Sequence, residues 1–374
     1  MFMHDFLLKS LSNTNIEKEL KNIGFDSSYT NHAKNKFCYK NFKIYNLTCA
    51  QANIIKQLAL SVGADCGTNK DVITGNAEFS HCILGGSNSQ LYKISEKLEK
   101  QPFGLKNLGQ LLKNELKIEA TQKTKIIGIL NITPNSFSDG GEFYQSEDAI
   151  KQLNKLINDG ADIIDIGAES TRPGAEDVCA KTQLERLIPV IKYIKENNIT
   201  IPVSVDTRNA EVAKKCIDLG VNIINDVSGL DFDENMANII AQNSHIKVII
   251  QHYFKEAYTG KNLMDDIYIE LYNKVENAIK KGIKKENIII DPGIGFGKTK
   301  EQNFEIIKRW KELKTIGCPI LIGLSRKSLL NMQDSSNIEK DIYTLALNTL
   351  LINENIDYIR VHNVELHKNI IEIL

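Results

Sequence analysis

The sequence predicts an α/β fold: a (β/α)8 TIM barrel preceded by a small α+β domain. Two observations lead to this prediction. From residue 125 onwards the chain contains eight short runs rich in Ile and Val, and stretches with helical apolar spacing lie between most of them. Nearly every run ends in polar residues, although a core strand has no packing reason to end in a carboxylate. Because the active site of such a barrel lies at the carboxyl ends of its strands, the pattern indicates an active site.

The barrel is expected to occupy residues 119–374. Its eight strands are predicted at residues 125–131, 161–165, 201–206, 221–226, 247–252, 287–291, 319–325 and 357–362. The polar residues at their ends are Asn131, Asp165, Asp206, Asn225, Asp226, His252, Asp291, Lys327, Arg360 and His362. Helices are predicted between them at 146–158, 181–196, 210–218, 263–281, 302–313 and 341–353, with a weakly indicated helix at 234–243.

Residues 1–118 are expected to form the separate α+β domain. The elements predicted there are a strand at 37–47, a helix at 48–61 capped by Thr48, a short strand at 82–84, a helix capped by Ser87 or Ser89 that ends at Lys100, and a helix at 105–116. The short strand is expected to turn at Gly85 and Gly86. These glycines and Ser87 could form a phosphate loop, but a lone Gly pair is weak evidence and favours a plain turn.

Composition limits the class of protein. A hydrophobic content of 42% and a charged content of 25% are ordinary for a globular protein. The net charge of −1 gives no support to nucleic-acid or membrane-surface binding. Seven widely spread cysteines without a Cys-x-x-Cys pair make a disulfide framework or a zinc site improbable, so a cytoplasmic location is expected. Neither a signal peptide nor a membrane span is expected.

Several strand ends run into loops with chemical potential. Asn131 is followed by a polar loop through Gly141 that is longer than a strand-to-helix turn requires, which favours a functional lid. A second polar loop covers residues 165–174. The sequence 291–298 contains three alternating glycines, which allow backbone to approach a ligand closely. The sequence 323–328 runs toward a helix, whose N-terminus would favour an anion.

The strand-end residues separate into two predicted sub-sites. Arg360, His362 and the amide of Asn131 suit a phosphate or a metal-bound pyrophosphate. A second set combines acceptors, an amide and a cation, and it matches a flat heterocycle with adjacent N–H, NH2 and carbonyl groups. That second set consists of Asp206, Asn225, Asp291 and Lys327. Single members could be structural: Asp206 could cap a helix, and His252 could be a satisfied core histidine.

Residues 128–141, 165–174, 291–298, 323–328 and 360–362 closely resemble the motifs of the dihydropteroate synthases, the pterin-binding barrel enzymes of folate biosynthesis. The resemblance begins near Lys125 and reaches the last residue given. It implies a transferase that condenses 6-hydroxymethyl-7,8-dihydropterin pyrophosphate with 4-aminobenzoate and releases pyrophosphate. It also implies Mg²⁺ as the cofactor and a homodimer, with small molecules as the substrates.

The resemblance also implies roles for individual residues. Asn131 resembles the magnesium ligand, and Arg360 with His362 the pyrophosphate-binding pair. Asp206, Asn225, Asp291 and Lys327 resemble the pterin-reading set. Thr171, Arg172 and Pro173 correspond to the second mobile loop, and Phe296 with Ser328 to the aminobenzoate contacts. Catalytic roles fall to Asp139, Lys327, Arg360 and His362.

Three positions depart from the family pattern. Gln251 stands where the family usually has Met, Ala168 replaces the second Gly of a Gly-Gly-Glu-Ser motif, and Asn363 stands where Asp is common. None of them removes a proposed ligand, although Gln251 could alter the wall of the pterin pocket. The N-terminal domain resembles an extension that is present in only some members.

Three other functions compete with the synthase. A pterin-binding methyltransferase of the same superfamily would keep the Asp and Asn contacts but has no use for a pyrophosphate clamp or for the loop after Asn131. A non-catalytic pterin-binding homologue is disfavoured, because no motif residue needed for chemistry is missing. Residues 1–118 could be a second folate-pathway enzyme, but they lack clustered acidic or His ligands, which favours a packing or assembly module.

Overall fold

The computed structural model describes residues 9, 11, 16–117, 123–132, 142–169, 177–254, 256–327 and 335–374, excepting the side chains of residues 31 and 142–146. Contacts between Cα atoms divide the chain into two compact units, Met1–Glu119 and Ala120–Leu374. Each unit has its own buried apolar cluster. In the described part of the chain, no helix is both long enough and apolar enough to cross a membrane.

The N-terminal unit combines a three-stranded antiparallel sheet with five α-helices and a short 3-10 helix, Lys70–Val72, in its described residues. Its elements in chain order are α1 (Ile16–Asn22), α2 (Thr30–Phe37), β1 (Tyr39–Leu47), α3 (Cys49–Leu60), β2 (Asp65–Thr68), β3 (Ser80–Ser87), α4 (Asn88–Leu98) and α5 (Leu105–Glu115). The strand order is β1-β3-β2. The core is made mainly by α3, α4 and β3, which bury side chains such as Ile55, Leu84 and Leu91 completely.

The caps predicted for this unit are confirmed. Thr48 caps α3 and Ser87 caps α4, and each forms a capping box with a glutamine three residues later. The predicted turn at Gly85 and Gly86 is wrong, because β3 continues through both glycines to Ser87. The neighbouring strand is close to this glycine: a Cβ atom at Gly85 would lie 2.6 Å from both Tyr39 Oη and Asn41 Oδ1, so a larger residue would displace these side chains.

The second unit is the predicted (β/α)8 barrel. Its strands are β4 (Lys125–Asn131), β5 (Ile163–Gly167), β6 (Val203–Asp206), β7 (Ile223–Asp226), β8 (Lys247–Gln251), β9 (Ile288–Asp291), β10 (Leu321–Ile322) and β11 (Tyr358–Val361). Its helices are α6 (Glu142–Asn158), α7 (Ala180–Glu196), α8 (Ala210–Asp218), α9 (Met236–Gln242), α10 (Leu263–Lys280), α11 (Lys300–Arg309), α12 (Asn337–Asn353) and α13 (Val364–Ile373). The sequence reasoning did not include α13.

All eight strands are parallel to their neighbours, in the order β10-β11-β4-β5-β6-β7-β8-β9. A parallel bridge between Ile290 and Ile320 joins β9 to β10 and closes the barrel. Alternate strand residues point to opposite faces. One set packs against the surrounding helices, as Val248 and Ile250 of β8 do, and the other points into the barrel, as Ile249 does.

Candidate active site

The inside of the barrel is built in layers. Seven inward side chains form an apolar ring near the amino ends of the strands: Ile127, Ile163, Ile223, Ile249, Ile289, Leu321 and Tyr358. Because strand side chains repeat every two residues on one face, the next inward positions are two residues further along. Those positions are Ile129, Asp165, Asn225, Gln251, Asp291, Gly323 and Arg360, and β6 adds Ser204 and Asp206. We call this second layer the polar ring, and it holds four of the predicted site residues.

Arg360 is the centre of the polar ring. Its Nε donates to Asp165 Oδ2 at 2.6 Å, and one terminal nitrogen donates to Asp206 Oδ2 at 3.0 Å. Asp165 Oδ2 also accepts from Asn225 Nδ2 at 3.1 Å. The network therefore connects a predicted pyrophosphate ligand, Arg360, with two predicted heterocycle ligands, so the two sub-sites share one residue.

Burial sets the charge state in this network. Only 5% of Asp206 is exposed, and desolvation raises the pKa of its carboxyl to about 7, although the positive charge of Arg360 opposes this shift. Asp165 Oδ1 and Asp206 Oδ1 are both buried and have no hydrogen-bond partner among the described residues. Buried carboxylate oxygens that lack a hydrogen-bond partner are suited to accept hydrogen bonds from the N–H groups of a ligand.

The glycine loop after β9 positions Asp291 and Phe296. Asp291 Oδ1 accepts from the main-chain N–H of Gly293 at 2.7 Å, and burial raises the pKa of Asp291. Lys298 folds back under the loop and donates to the carbonyl oxygens of Gly293 and Phe296 at 2.9 and 3.0 Å. Burial lowers the pKa of Lys298 to about 7. Lys298 is thus a support for the loop, a role that the sequence reasoning did not assign.

Lys327 lies on the other side of Asp291. Its Nζ donates to the carbonyl of Ile294 at 2.6 Å and stands 4.8 Å from the centre of the Phe296 ring. Desolvation lowers the pKa of Lys327 to about 8, whereas the charge of Asp291 acts to raise it. Lys327 thus brings a cation beside both the predicted heterocycle ligand and the predicted aminobenzoate contact.

Two further predicted ligands, His362 and Asn131, follow the polar ring toward the mouth of the barrel. Ser325 Oγ accepts from the main-chain N–H of His362 at 3.1 Å and lies 2.8 Å from His362 Nδ1. When the Ser325 hydroxyl donates to Nδ1, the ring carries its hydrogen on Nε2. Asn131 is half-buried at the end of β4, and a Cβ atom at Gly167 would lie 3.3 Å from Asn131 Oδ1. Gly167 therefore leaves space beside that oxygen.

The strand-end residues Asp226 and His252 point away from the barrel interior. Asp226 Oδ1 accepts from the main-chain N–H and the hydroxyl of Ser228, which stabilises the turn after β7. His252 is fully buried, with Nε2 3.1 Å from Glu270 Oε2 on α10, and burial lowers the pKa of His252 to about 4. The structure thus supports a core role for His252 rather than a role in the site.

Five predicted site residues lie outside the described residues: Asp139, Thr171, Arg172, Pro173 and Ser328. Glu169, which precedes the second loop, is described and was not singled out from the sequence. Its carboxylate accepts from the main-chain N–H of Val178 and from Gln183 Nε2, and it pairs with Arg208. Glu169 therefore joins the two ends of the loop that carries three predicted ligands.

Sequence reasoning named Asp165 and Ser325 at strand ends but gave them no role. The alternation of side chains along a strand assigns Asp165 to the inside of the barrel. Ile163, two residues earlier on the same strand, belongs to the inward apolar ring. No comparable signal exists for Ser325, whose position depends on the loop after β10. A layered interior with a polar ring at the carboxyl ends of the strands defines the class of the molecule: a (β/α)8-barrel enzyme.

Comparisons with known proteins identify the family. Residues 127–362 match the family model described as pterin binding enzyme. The dihydropteroate synthase of Clostridium beijerinckii is 43% identical over 245 residues, which cover 65% of this chain and 90% of that protein. The chain belongs to the pterin-binding enzymes and, among them, to the dihydropteroate synthase family.

Solved structures agree with this membership. A Clostridium difficile dihydropteroate synthase, crystallised in the presence of pteroic acid, has a TM-score of 0.65 and 41% identity and covers 68% of this chain and 97% of its own. The enzyme from Anaplasma phagocytophilum, with bound 6-hydroxymethylpterin-monophosphate, has a TM-score of 0.62 and 41% identity and covers 67% and 98%. The barrel of this chain is therefore similar to those enzymes over nearly their whole length.

An archaeal relative extends the similarity beyond the barrel. The probable bifunctional folylpolyglutamate synthase/dihydropteroate synthase of Haloferax volcanii is 35% identical over 344 residues. This match covers 84% of the chain, which is more than Ala120–Leu374 can supply, so it includes part of the N-terminal unit. The chain spans only 40% of the length of that relative.

Proposed function

We propose that the chain catalyses the condensation of 6-hydroxymethyl-7,8-dihydropterin pyrophosphate with 4-aminobenzoate to give 7,8-dihydropteroate and pyrophosphate. The observation that carries this proposal is the polar ring, in which Arg360 is bonded to Asp165 and Asp206 next to Asn225. Acceptors for a heterocycle and a cation for an anion thus occur in one network. The substrate has both parts in one molecule.

The heterocycle sub-site is formed by Asp206, Asn225, Asp291 and Lys327. A pterin presents an N–H and an NH2 group side by side, and a carboxylate accepts from both at once. Asp291 is suited to this contact because it is buried and its own loop already fixes its orientation through Gly293. Asp206 and Asn225 offer acceptors to the other ring.

The anion sub-site is formed by Arg360 and His362. The guanidinium of Arg360 can donate charge-assisted hydrogen bonds to the phosphate oxygens of the leaving group. The imidazole N–H of His362 is a neutral donor to the same oxygens. The bond from Arg360 Nε to Asp165 fixes the plane of the guanidinium before the substrate arrives. Such preorganisation lowers the cost of stabilising the charge that develops on departing pyrophosphate.

Asn131 fits the role of magnesium ligand. Mg²⁺ takes oxygen ligands and is usually bound by one or two protein groups together with substrate phosphates and water. Asn131 Oδ1 is such an oxygen, and Gly167 leaves space beside it. When bound there, the ion would neutralise charge on the pyrophosphate and make it a better leaving group.

The reaction path that these residues favour is dissociative. The amine of 4-aminobenzoate is nucleophilic when neutral, so the site requires no strong base for it. Arg360 and His362 hold the leaving pyrophosphate, and Asp139 is assigned to the pterin cation that remains. Phe296 and Ser328 are assigned to the aminobenzoate, and Phe137, Thr171 and Pro173 of the two long loops are assigned to the same pocket. Binding is then ordered, with the pterin pyrophosphate before the aminobenzoate.

The proposed reaction is tested with the purified chain, pterin pyrophosphate, 4-aminobenzoate and Mg²⁺, and dihydropteroate is measured as the product. A methyl transfer to a corrinoid in place of this reaction would support the methyltransferase alternative. Pterin binding without product would support the non-catalytic one. Calorimetry tests the binding order: tight binding of 4-aminobenzoate to enzyme free of pterin and pyrophosphate would contradict it.

We propose a cytoplasmic homodimer. On α12 an exposed apolar stripe contains Ile338, Ile342, Tyr343 and Leu350, each more than half exposed. A stripe of this kind on one helix is typical of a surface that a second copy covers. Sedimentation of the Ile342→Glu variant should show a monomer where the wild type shows a dimer. The cytoplasmic location is proposed because the seven cysteines are widely spread and contain no Cys-x-x-Cys pair.

For residues 1–118 we propose a role in packing or assembly rather than a second enzyme. The unit has its own core around Ile55, Leu84 and Leu91, and a related segment occurs in the longer archaeal protein. Removal of these residues should reduce stability or solubility, while the folded fraction keeps its turnover. A well-folded truncated protein without turnover would show instead that the unit takes part in catalysis.

A further inference from the structure

Gln251 lies in the polar ring, at the position directly beside Asp291. In the parallel register of β8 and β9 the two residues are paired partners. Ile249 and Ile289, two residues earlier on the same strands, both belong to the inward apolar ring. The side chain of Gln251 therefore points into the barrel next to the carboxylate that is assigned to the pterin.

The amide nitrogen of Gln251 is a buried donor that lacks a partner in the described part of the chain. Only 4% of the residue is exposed, and Nε2 has no hydrogen bond to any described group. A buried N–H without an acceptor destabilises a protein, so such groups are rare unless a ligand or water completes them. Because Gln251 is the register partner of Asp291 in the polar ring, a ligand bound there can supply the missing acceptor.

The neighbours of Asp291 form a row with a defined order of donors and acceptors. Gln251 of β8 lies on one side of Asp291, and Lys327 lies on the other. Lys327 follows β10, and its Nζ is close to the inward position Gly323: a Cβ atom built on that glycine would be 3.9 Å from it. Since β9 lies between β8 and β10, the order along the wall is donor, two carboxylate oxygens, donor.

A 2-amino-4-oxopteridine has the complementary edge. Its N3–H and 2-amino groups are adjacent donors, and an acceptor flanks them on each side: the carbonyl oxygen O4 and the ring nitrogen N1. When the carboxylate of Asp291 holds the two donors, a donor on either side of Asp291 faces one of these acceptors. Lys327 is suited to one acceptor and Gln251 to the other.

We propose that Gln251 is a further pterin-reading residue, which donates from Nε2 to the acceptor that flanks the Asp291-bound edge of the ring. This inference rests on the proposed function of the same pocket. A methionine at this position, which is usual in the resembling family, has similar length but no donor. The proposed bond is therefore a feature of this chain rather than of the whole family.

The test uses the full chain and the Gln251→Met variant, with calorimetric titration of 6-hydroxymethyl-7,8-dihydropterin pyrophosphate. The variant should bind about three- to tenfold more weakly, the loss typical of one neutral hydrogen bond. Its unfolding temperature without ligand should equal or exceed that of the wild type, since the substitution removes an unpaired buried donor. Binding of inorganic pyrophosphate is the matched control and should not change.

Two ring analogues identify the acceptor: one with N1 replaced by C–H and one with the carbonyl replaced by thiocarbonyl. The loss of affinity caused by Gln251→Met should be smaller for the analogue that lacks the acceptor used by Gln251. For the other analogue the loss should be unchanged. Equal pterin affinity of variant and wild type, or a cost that both analogues leave unchanged, would overturn the role of Gln251 while the proposed function stands. A variant that unfolds at a much lower temperature would show a structural role and overturn it too. A wild-type chain that binds no pterin would refute the proposed function itself.

Discussion

Asp165 and Arg360 form an ion pair inside the barrel, with Arg360 Nε 2.6 Å from Asp165 Oδ2. Asp165 has no exposed surface, and the same oxygen accepts from Asn225 Nδ2. An ionised carboxylate can only accept, so the amide nitrogen of Asn225 must be turned toward Asp165. The amide oxygen of Asn225 is then turned away from Asp165, which suits the acceptor role that we propose for it.

Asp165→Asn should impair both sub-sites. The variant loses the charge that orients Arg360, and it allows the amide of Asn225 to rotate. Loss of a hydrogen bond to a charged group costs about 1.5 to 3 kcal/mol, so we expect pterin pyrophosphate affinity to fall by at least an order of magnitude. Pyrophosphate alone should also bind more weakly, since it depends on Arg360. Calorimetry with both ligands measures the two effects.

The double variant Asp165→Asn, Asn225→Asp is the matched control for this substitution. It exchanges donor and acceptor, so the bond between positions 165 and 225 is retained, and position 225 still presents an oxygen acceptor to the pocket. Partial recovery of pterin affinity is expected. If the double variant is no better than the sum of the two single substitutions, Asp165 does not act by orienting Asn225.

Pterin affinity should increase with pH through neutrality because of Asp206. Burial raises the pKa of this carboxyl to about 7, so the acceptor form becomes dominant only above that value. The free energy of unfolding should change in the opposite direction. The folded chain prefers the protonated form of Asp206, which stabilises it at low pH, and this contribution is lost as the pH rises toward 7. Titrations at pH 5.5 and pH 7, both below the pKa of about 8 of Lys327, measure the affinity. Asp206→Asn should remove most of the difference, and a wild-type affinity independent of pH would contradict the assignment.

Asp291→Asn should weaken pterin binding more than pyrophosphate binding. A carboxylate accepts from two adjacent donors, whereas an amide directs its own donor at one of them. The expected loss is about 1.5 to 3 kcal/mol for the pterin ligand. Isothermal titration with the pterin and with inorganic pyrophosphate separates the two contributions. An unchanged pterin affinity would show that Asp291 does not hold the ring.

Lys298→Met should loosen the glycine loop that positions Asp291 and Phe296. The substitution removes the donor to the carbonyl oxygens of Gly293 and Phe296. Measured with urea at pH 6, where the amine of Lys298 is mostly protonated, the free energy of unfolding should fall by about 1.5 to 3 kcal/mol, and the KM for 4-aminobenzoate should rise. Lys300→Met, at an exposed position two residues later, is the control and should be neutral. Equal effects of the two substitutions would contradict the supporting role.

Removal of divalent metal should abolish turnover. Asn131, Arg360 and His362 are assigned to one anion, and pyrophosphate without a neutralising ion is a poor leaving group. Dihydropteroate formation in excess chelator should fall to background and return when Mg²⁺ is added back. The Asn131→Ala variant should need more Mg²⁺ for half-maximal activity. Undiminished turnover in chelator would refute the magnesium assignment.

Much of the barrel could be predicted from sequence, because Ile- and Val-rich runs and helical spacing depend on local pattern alone. The predicted strand 125–131 coincides with β4, and the helix at 210–218 coincides with α8. The strand limits were less accurate: β5 begins at Ile163 rather than at residue 161 and ends at Gly167. Asp165 is consequently in the middle of its strand and deeper than the mouth of the barrel, which its apparent place at a strand end did not reveal.

Pairing between distant charges could not be predicted. Asp165 and Arg360 are 195 residues apart, and their bond depends on β11 lying next to β4 and on β4 lying next to β5. The inward direction of Gln251 depends likewise on the register of β8. His252 follows it directly and points the other way, so one residue separates a pocket wall from a core histidine.

The ring of Ile127, Ile163, Ile223, Ile249, Ile289, Leu321 and Tyr358 fills the barrel below the polar ring. In the described part of the chain this apolar layer closes the barrel at that end, so a ligand in contact with the polar ring enters and leaves at the carboxyl ends of the strands. A molecule bound against the apolar ring must leave by the way it entered, and a second molecule bound above it blocks its exit. The products then leave in order of depth: the molecule nearer the opening must dissociate first. If that molecule binds tightly, the deeper one is retained.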